Sequence, residues 1–196
     1  LGNEINYADD NRMMLPKNVD VVRTKAFDAA NLSVLGRYPG ILEWPDRYSS
    51  WVVSATIAGY REVKKRNLQL VYSTYPIASA HLIGYFISKL TRKPWIADFR
   101  DPMVMENHPE TRLRRTAHAW VEEKTIRHCS LALFTSTFAK ELYEEKYPSV
   151  PSDKFFVIEN GFDEELFSSA EALTKSRTKK TDEKIRILHN GSLYPD

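Results

Sequence analysis

The chain has 196 residues, a net charge of +2, 42% hydrophobic residues and 28% charged residues. That is enough for one domain with a real core, or one domain and part of another, and too close to neutral to argue for nucleic acid as a partner. A single cysteine, Cys129, excludes an internal disulfide and fits a reducing, cytoplasmic compartment. No apolar run nears the roughly 20 residues of a membrane span, and no signal-peptide pattern opens the chain.

The opening Leu1-Gly2-Asn3 lacks a methionine, as expected of a fragment. Residues 1–18 are polar and irregular. The segment Asn18 to Thr24, NVDVVRT, alternates toward a short strand, and 26–46 reads as a long loop from Gly36, Pro39, Gly40 and Pro45. Asp46 is placed to cap a helix running to about Asn67, with Trp51, Ala55, Ala58 and Val63 inward. Arg61, Lys64, Lys65 and Arg66 give that helix a cationic end, which suits its dipole.

The stretch Leu70 to Asp101 organises the rest. Leu70-Val71-Tyr72 is a short β-forming run stopped by Pro76, which has no amide hydrogen for a ladder. Ile77 to Leu90 is apolar nearly all round and predicts a helix packed on a sheet. Trp95-Ile96-Ala97 is the next strand, with Asp98-Phe99-Arg100-Asp101 just past its end. Thr111 to His128 predicts an amphipathic helix with Leu113, Ala117, Trp120 and Val121 inward and a Glu123–Arg127 pair outward. Ser130 to Thr135 is a buried strand. Ser136-Thr137 caps a helix whose inner face holds Phe138, Leu142 and Tyr143, and which ends near Tyr147-Pro148. Phe155 to Ile158 is a further strand, and Asp163 caps a helix from Glu164 to about Leu173.

Alternation of strands and helices from 68 to 158 predicts an α/β fold, a Rossmann-like parallel sheet with helices on both faces. Lys175 to Lys184 is charged, lacks apolar residues and has linker composition. Ile185 to His189 then starts a fresh strand, followed by a glycine loop. The expected organisation is therefore a domain over 1–174, a linker over 175–184, and the start of a second domain over 185–196.

There is no GxxxxGKS/T, GxGxxG, HExxH, GxSxG or CxxC pattern. His118 and Glu122 share a helix face, but two groups do not make a metal site, so no metal is expected. Polar groups remain at four predicted strand ends: Tyr75, the Asp98–Arg100–Asp101 run, Ser136, and Asn160-Gly161. In a parallel sheet the strand ends share one rim, where ligands of open α/β sheets bind. The alternative for each is turn and capping chemistry, with Arg100 clamped between two carboxylates as a structural pair.

The run Tyr75-Pro76 through Gly84, followed by Lys93-Pro94-Trp95-Ile96-Ala97-Asp98-Phe99-Arg100-Asp101-Pro102, resembles the N-terminal domain of family 4-type glycosyltransferases of the GT-B fold. Glu159-Asn160-Gly161-Phe162-Asp163 resembles that family's segment leading toward the interdomain crossover, and Ile187 to Tyr194 its first donor-domain strand and glycine loop. The likeness spans about 68–194, and the family's first βα unit is not visible before residue 20.

The resemblance implies a two-domain enzyme moving a sugar from a nucleotide-sugar donor to a saccharide or lipid-linked acceptor. Transfer would proceed with retention, without a metal or other cofactor, in cell-surface polysaccharide or glycan synthesis. The C-terminal domain of the same chain would hold the donor. Asp98, Arg100 and Asp101 would then be catalytic, and Tyr75, Ser136, Asn160 and Gly161 would bind substrate. Gly191 and Ser192 would offer amides to the donor diphosphate. The donor domain's distal glutamate pair falls outside 1–196, so this chain alone is expected to be inactive. Two other readings stay open: a non-catalytic α/β binding module, and a GT-B nucleotide-sugar epimerase. Peripheral contact with the inner face of the membrane is also open, through the cationic end of the helix before Asn67.

Overall fold

The computed structural model of the chain describes residues 18–26, 44–105, 109 and 111–175. The element order is α1 (Trp51–Arg66), β1 (Val71–Thr74), α2 (Ala78–Thr91), β2 (Trp95–Arg100), α3 (Arg112–His128), β3 (Leu131–Phe134), α4 (Thr137–Lys146), β4 (Phe155–Val157) and α5 (Glu164–Lys175), with one 3₁₀ turn at Ser152–Lys154. The strands form a parallel sheet in the order β1-β2-β3-β4. The class is the α/β, Rossmann-like one expected. The chain divides into two compact units, Leu1–Glu159 and Asn160–Asp196. The expected linker and second-domain strand lie outside the described residues.

Strands laid down in sequential order with right-handed crossovers place every crossover helix on the same side. Burial shows which side. Val71, Ser73, Trp95, Ala97, Phe99, Ala132, Phe134 and Phe155 are buried under α2, α3 and α4. Their alternates Tyr72, Thr74, Arg100 and Phe156 are exposed, Ile96, Asp98 and Leu131 are half-buried, and Leu133 is buried. By that rule the described crossover helices share one face, and the burial of Leu133 shows that the opposite face is covered in part as well.

Several local expectations shift. The segment 19–26 is not a strand: Val19, Val21 and Val22 are about half exposed. Side chains, not a ladder, tie the segment to α1, through Trp51 Nε1–H to Thr24 Oγ1 (2.7 Å), Ser54 Oγ–H to the Lys25 carbonyl (2.5 Å), and an Arg66–Asp20 ion pair. Arg66 also pairs with Glu62 at 2.5 Å, so the cationic end of α1 is partly neutralised within the molecule. No described helix is long and apolar enough to cross a membrane.

Asp46 does not cap α1. Its Oδ1 accepts from Tyr48 N–H (2.8 Å) and Ser79 Oγ–H (3.0 Å), and its Oδ2 from Ser79 N–H (2.6 Å). It caps α2, 33 residues on in sequence, while Ser50, at the N-cap position of α1, makes no side-chain capping bond to that helix. On α3, Leu113 and Trp120 face outward, at 50% and 37% exposure, because the buried stripe is Ala117, Val121, Glu122, Thr125 and Ile126. On α4, Phe138 is 71% exposed, and Ala139, Tyr143 and Tyr147 hold the inner face. A buried glutamate on α3 explains both corrections: Glu122 needs hydroxyl partners facing it, and α4 supplies them.

Candidate functional site

β2 runs further than its apolar core suggests. Asp98, Phe99 and Arg100 belong to the strand, with a bulge between Asp98 and Arg100 where it pairs with β3. Phe99 anchors this tip. It is fully buried and stacks on Phe134 with centroids 5.4 Å apart. Arg100 then takes φ 52°, in the left-handed region. Among the described residues, two other non-glycine residues share that conformation, Asn67 and Arg92, and each closes a helix C-terminus, where it is ordinary. Arg100 closes no helix. Its conformation is held by neighbours: its N–H donates to Asp98 Oδ1 (3.3 Å), its carbonyl accepts from Thr135 Oγ1–H (2.6 Å), and Asp101 N–H turns back to the Phe99 carbonyl (2.5 Å). Left-handed non-glycine residues cost about 1–3 kcal/mol and gather at functional sites.

The two carboxylates differ. Asp98 Oδ2 accepts from Tyr72 Oη–H (2.7 Å) and Thr74 Oγ1–H (3.0 Å), so with Arg100 N–H it holds three donors. Burial, and then that bond to Asp98, pushes the Tyr72 phenol up to about 12. Asp101 is exposed, and among the described residues its carboxylate makes no hydrogen bond or ion pair. No ion pair joins Arg100 to either aspartate among those residues, so the alternative reading, Arg100 clamped between two carboxylates, is not formed.

Tyr75 joins this rim through its backbone, its N–H donating to the Asp98 carbonyl at 2.9 Å. Its ring is 5% exposed, and its hydroxyl is held protonated to about pH 12, first by burial and then by the charges of Asp101 and Asp46. Ser136 follows β3 on the same rim. Its Oγ accepts from Ala139 N–H (3.2 Å) to cap α4, which leaves its own hydrogen to donate outward. Asn160 and Gly161 are exposed and belong to the second unit, and nothing lies within 4 Å of where a Gly161 side chain would begin. Gly191 and Ser192 lie outside the described residues. Of the predicted site residues, the structure thus gathers Tyr75, Asp98, Arg100, Asp101 and Ser136.

A buried network supports the loop after Arg100. Met103 is fully buried, and its N–H donates to Tyr143 Oη (3.0 Å). Tyr143 Oη–H donates to Glu122 Oε2 (2.7 Å), while Tyr147 Oη–H (2.6 Å) and Lys146 Nζ (2.5 Å) reach Glu122 Oε1. Burial and the Glu122 charge raise both phenols well above their ordinary value. Glu122 therefore has its buried charge paired and bonded, as such a group requires. Among the described residues no group of three His, Cys, Asp or Glu could hold a metal ion.

A cavity of about 220 Å³ opens at the end of β1, between the start of α2 and the first turns of α3, lined in part by Asp46, Arg47, Tyr48, Tyr75, Arg114 and His118. A larger one, about 370 Å³, follows the outer edge of β1, but its walls, including Trp51, Ile77, Ala80, Ile83 and Ile87, carry no charge. Of these two cavities, the smaller has the charged walls. Sequence reasoning missed Arg47, Tyr48 and Arg114, because no motif links 44–50 to α3; only folding brings them beside Tyr75.

No family model matches the sequence, and no curated protein matches it. Among solved structures, the chain is similar to Anabaena HepE, crystallised in complex with UDP and glucose, with TM-score 0.45 and 18% identity over 64% of this chain and 31% of that one. The match thus spans about a third of the length of HepE. An overlap of that size fixes neither family nor ligand, so the chemistry has to come from the rim itself.

Proposed function

We propose that this chain carries the acceptor-side domain of a GT-B glycosyltransferase, which transfers a sugar from a nucleotide-sugar donor to a saccharide or lipid-linked acceptor. The observation that carries this reading is Arg100, held left-handed at the tip of a parallel strand within Ala97-Asp98-Phe99-Arg100-Asp101-Pro102, with the unengaged Asp101 beside it. Conformational strain at an exposed charged residue on the ligand-binding rim is the mark of a positioned group.

In this reading the residues divide the work. Asp98 positions the tip, since its oxygens are taken by Tyr72, Thr74 and the Arg100 amide. Arg100 supplies a guanidinium for acceptor oxygens or for negative charge developing in the cleft. Asp101 orients an acceptor hydroxyl. Ser136 donates a hydrogen bond. Asn160, Gly161, Gly191 and Ser192 face the donor, a role resting on the sequence resemblance. Metal-independent, retaining transfer in surface glycan synthesis, at the cytoplasmic side of a membrane, completes the proposal.

The test is ligand-observed NMR of the chain with panels of saccharides and nucleotide sugars. Binding of a saccharide that Arg100→Ala weakens by about tenfold or more, equal to about 1.4 kcal/mol, supports the reading. Arg100→Ala lowering stability while leaving binding unchanged would support the non-catalytic module instead. Transfer of sugar by residues 1–196 alone would overturn the domain assignment.

A further inference from the structure

The outward face of α1 is open to solvent. The helix packs on α2 through its other side, where Ala55 and Val63 are buried and Gly59 leaves no room for a side chain against Ile87. At 3.6 residues per turn, Val53, Ile57, Tyr60 and Lys64 then share the opposite face, flanked by Arg61. Val53 is 66% exposed, Ile57 47% and Tyr60 37%. Single exposed apolar residues are ordinary, but three along one helix face form a patch, and patches mark contact surfaces.

The same face is cationic. Arg61, Lys64 and Lys65 are exposed and make no ion pair among the described residues. Glu62, the one carboxylate of α1, is taken by Arg66. Lys64 Nζ lies 5.9 Å from the Tyr60 ring centre, so charged and apolar groups interleave. Toward the start of the helix, Val53 and Ile57 line an open hollow together with Lys25, a fourth exposed cation. This charge argues against a second copy as the occupant, because a two-fold contact would set the cations against themselves. An apolar stripe flanked by cations, with a tyrosine among its members, suits a helix lying in a membrane interface. There the apolar groups enter the acyl boundary and the cations meet anionic headgroups.

We propose that α1 docks this domain on an anionic lipid bilayer, lying in the interface with Val53, Ile57 and Tyr60 toward the acyl boundary and Lys25, Arg61, Lys64 and Lys65 on the headgroups. Three apolar side chains are too few to hold a protein on a neutral membrane, so anionic lipid is required. The start of α1 adjoins the rim: Trp51 shares a cavity wall with Thr74, Pro76 and Ile77 at the end of β1. Docking therefore keeps that end of the sheet within reach of the bilayer. Combined with the acceptor-domain reading, on which this last step rests, it selects a lipid-linked acceptor over a free saccharide.

The experiment is co-sedimentation of the chain with vesicles of phosphatidylcholine alone and of phosphatidylcholine mixed with phosphatidylglycerol, at low and high salt. Binding to the anionic vesicles is about tenfold or more tighter than to the neutral ones and falls with salt. Lys64→Gln and Lys65→Gln each weaken it by about fivefold. Val53→Ser combined with Ile57→Ser weakens it by about tenfold or more. All four positions are exposed, so thermal melts of these variants match the parent. Failure to bind anionic vesicles, or equal binding to both kinds, overturns the proposal. Salt-sensitive binding that ignores the two serine substitutions also overturns it, because charge then acts without the apolar stripe, as it would toward an acidic protein. Self-association that Ile57→Ser abolishes, without vesicle binding, assigns the face to a second copy and overturns the bilayer. Arg100→Ala, outside this face, leaves vesicle binding unchanged. Vesicle binding without saccharide binding therefore keeps the docking face and drops the acceptor domain, and the reverse keeps the acceptor domain and drops the docking face.

Discussion

His81 shows what a single buried side chain does to stability. It is fully buried and ringed by Tyr75, Trp95 and Phe99, the last with centroids 5.0 Å apart. Trp95 Nε1–H donates to Ser73 Oγ (2.8 Å), and Ser73 Oγ lies 2.8 Å from His81 Nδ1. Letting Ser73 donate to Nδ1 leaves only one orphan, the buried His81 Nε2–H. Burial pushes the imidazole down to about 3. The folded pKa lies below the unfolded one, so the unfolded chain binds more protons between pH 6.5 and 3. Stability is full above about 6.5 and falls with decreasing pH, by up to about 1.4 kcal/mol per unit. Urea unfolding from pH 7 to 4.5 should show this slope, and His81→Gln should flatten it; an unchanged slope in the variant would assign it to other groups. At Arg100 the expected outcome is a separation. Arg100→Gly removes the cost of the left-handed backbone, leaves stability equal or raises it by up to about 1 kcal/mol, and weakens saccharide binding by about tenfold or more. Arg100→Ala weakens binding to the same extent without that gain. Thermal melts beside the binding titrations distinguish them.

Among the elements, α3 and α4 are joined through charge, and this decides where the loop after β2 lies. Glu122→Gln leaves Tyr143, Tyr147 and Lys146 with a weaker acceptor and should cost about 1–3 kcal/mol. Because Tyr143 also accepts from Met103 N–H, the Met103 amide should exchange faster in the variant, out of proportion to the global loss. Equal loss of protection everywhere would reduce Glu122 to a packing group. The α2–β2 contact is tight enough to require glycine. A side chain at Gly84 would begin 2.5 Å from Trp95 Nε1 and 2.9 Å from Ser73 Oγ, both buried. Gly84→Ala should therefore destabilise by about 1–3 kcal/mol despite alanine's better helix propensity.

At the scale of the whole molecule, the two faces of the sheet are unequally buried among the described residues, and adjacent residues of β4 test it. Phe155 is 3% exposed and Phe156 47%. Phe155→Ala should cost about 3–5 kcal/mol by opening a cavity, whereas Phe156→Ala should cost well under half of that. Equal costs, measured by denaturant unfolding, would mean that both faces are packed.

The sequence by itself determined the element types and their order from β1 to α5. It also determined the parallel class, the capping roles of Ser136 and Asp163, and the clustering of polar residues at strand ends, because those follow from periodicity, local turn chemistry and chain direction. Only the tertiary structure decided how deeply each strand residue is buried, since strand order and packing act over the whole sheet. It alone moved Asp46 from the helix beside it to one 33 residues away, turned Phe138 and Trp120 outward, and joined Arg47 and Arg114 to Tyr75. Those outcomes depend on contacts between segments far apart in the chain, where a buried carboxylate or an unpaired amide outweighs the local pattern.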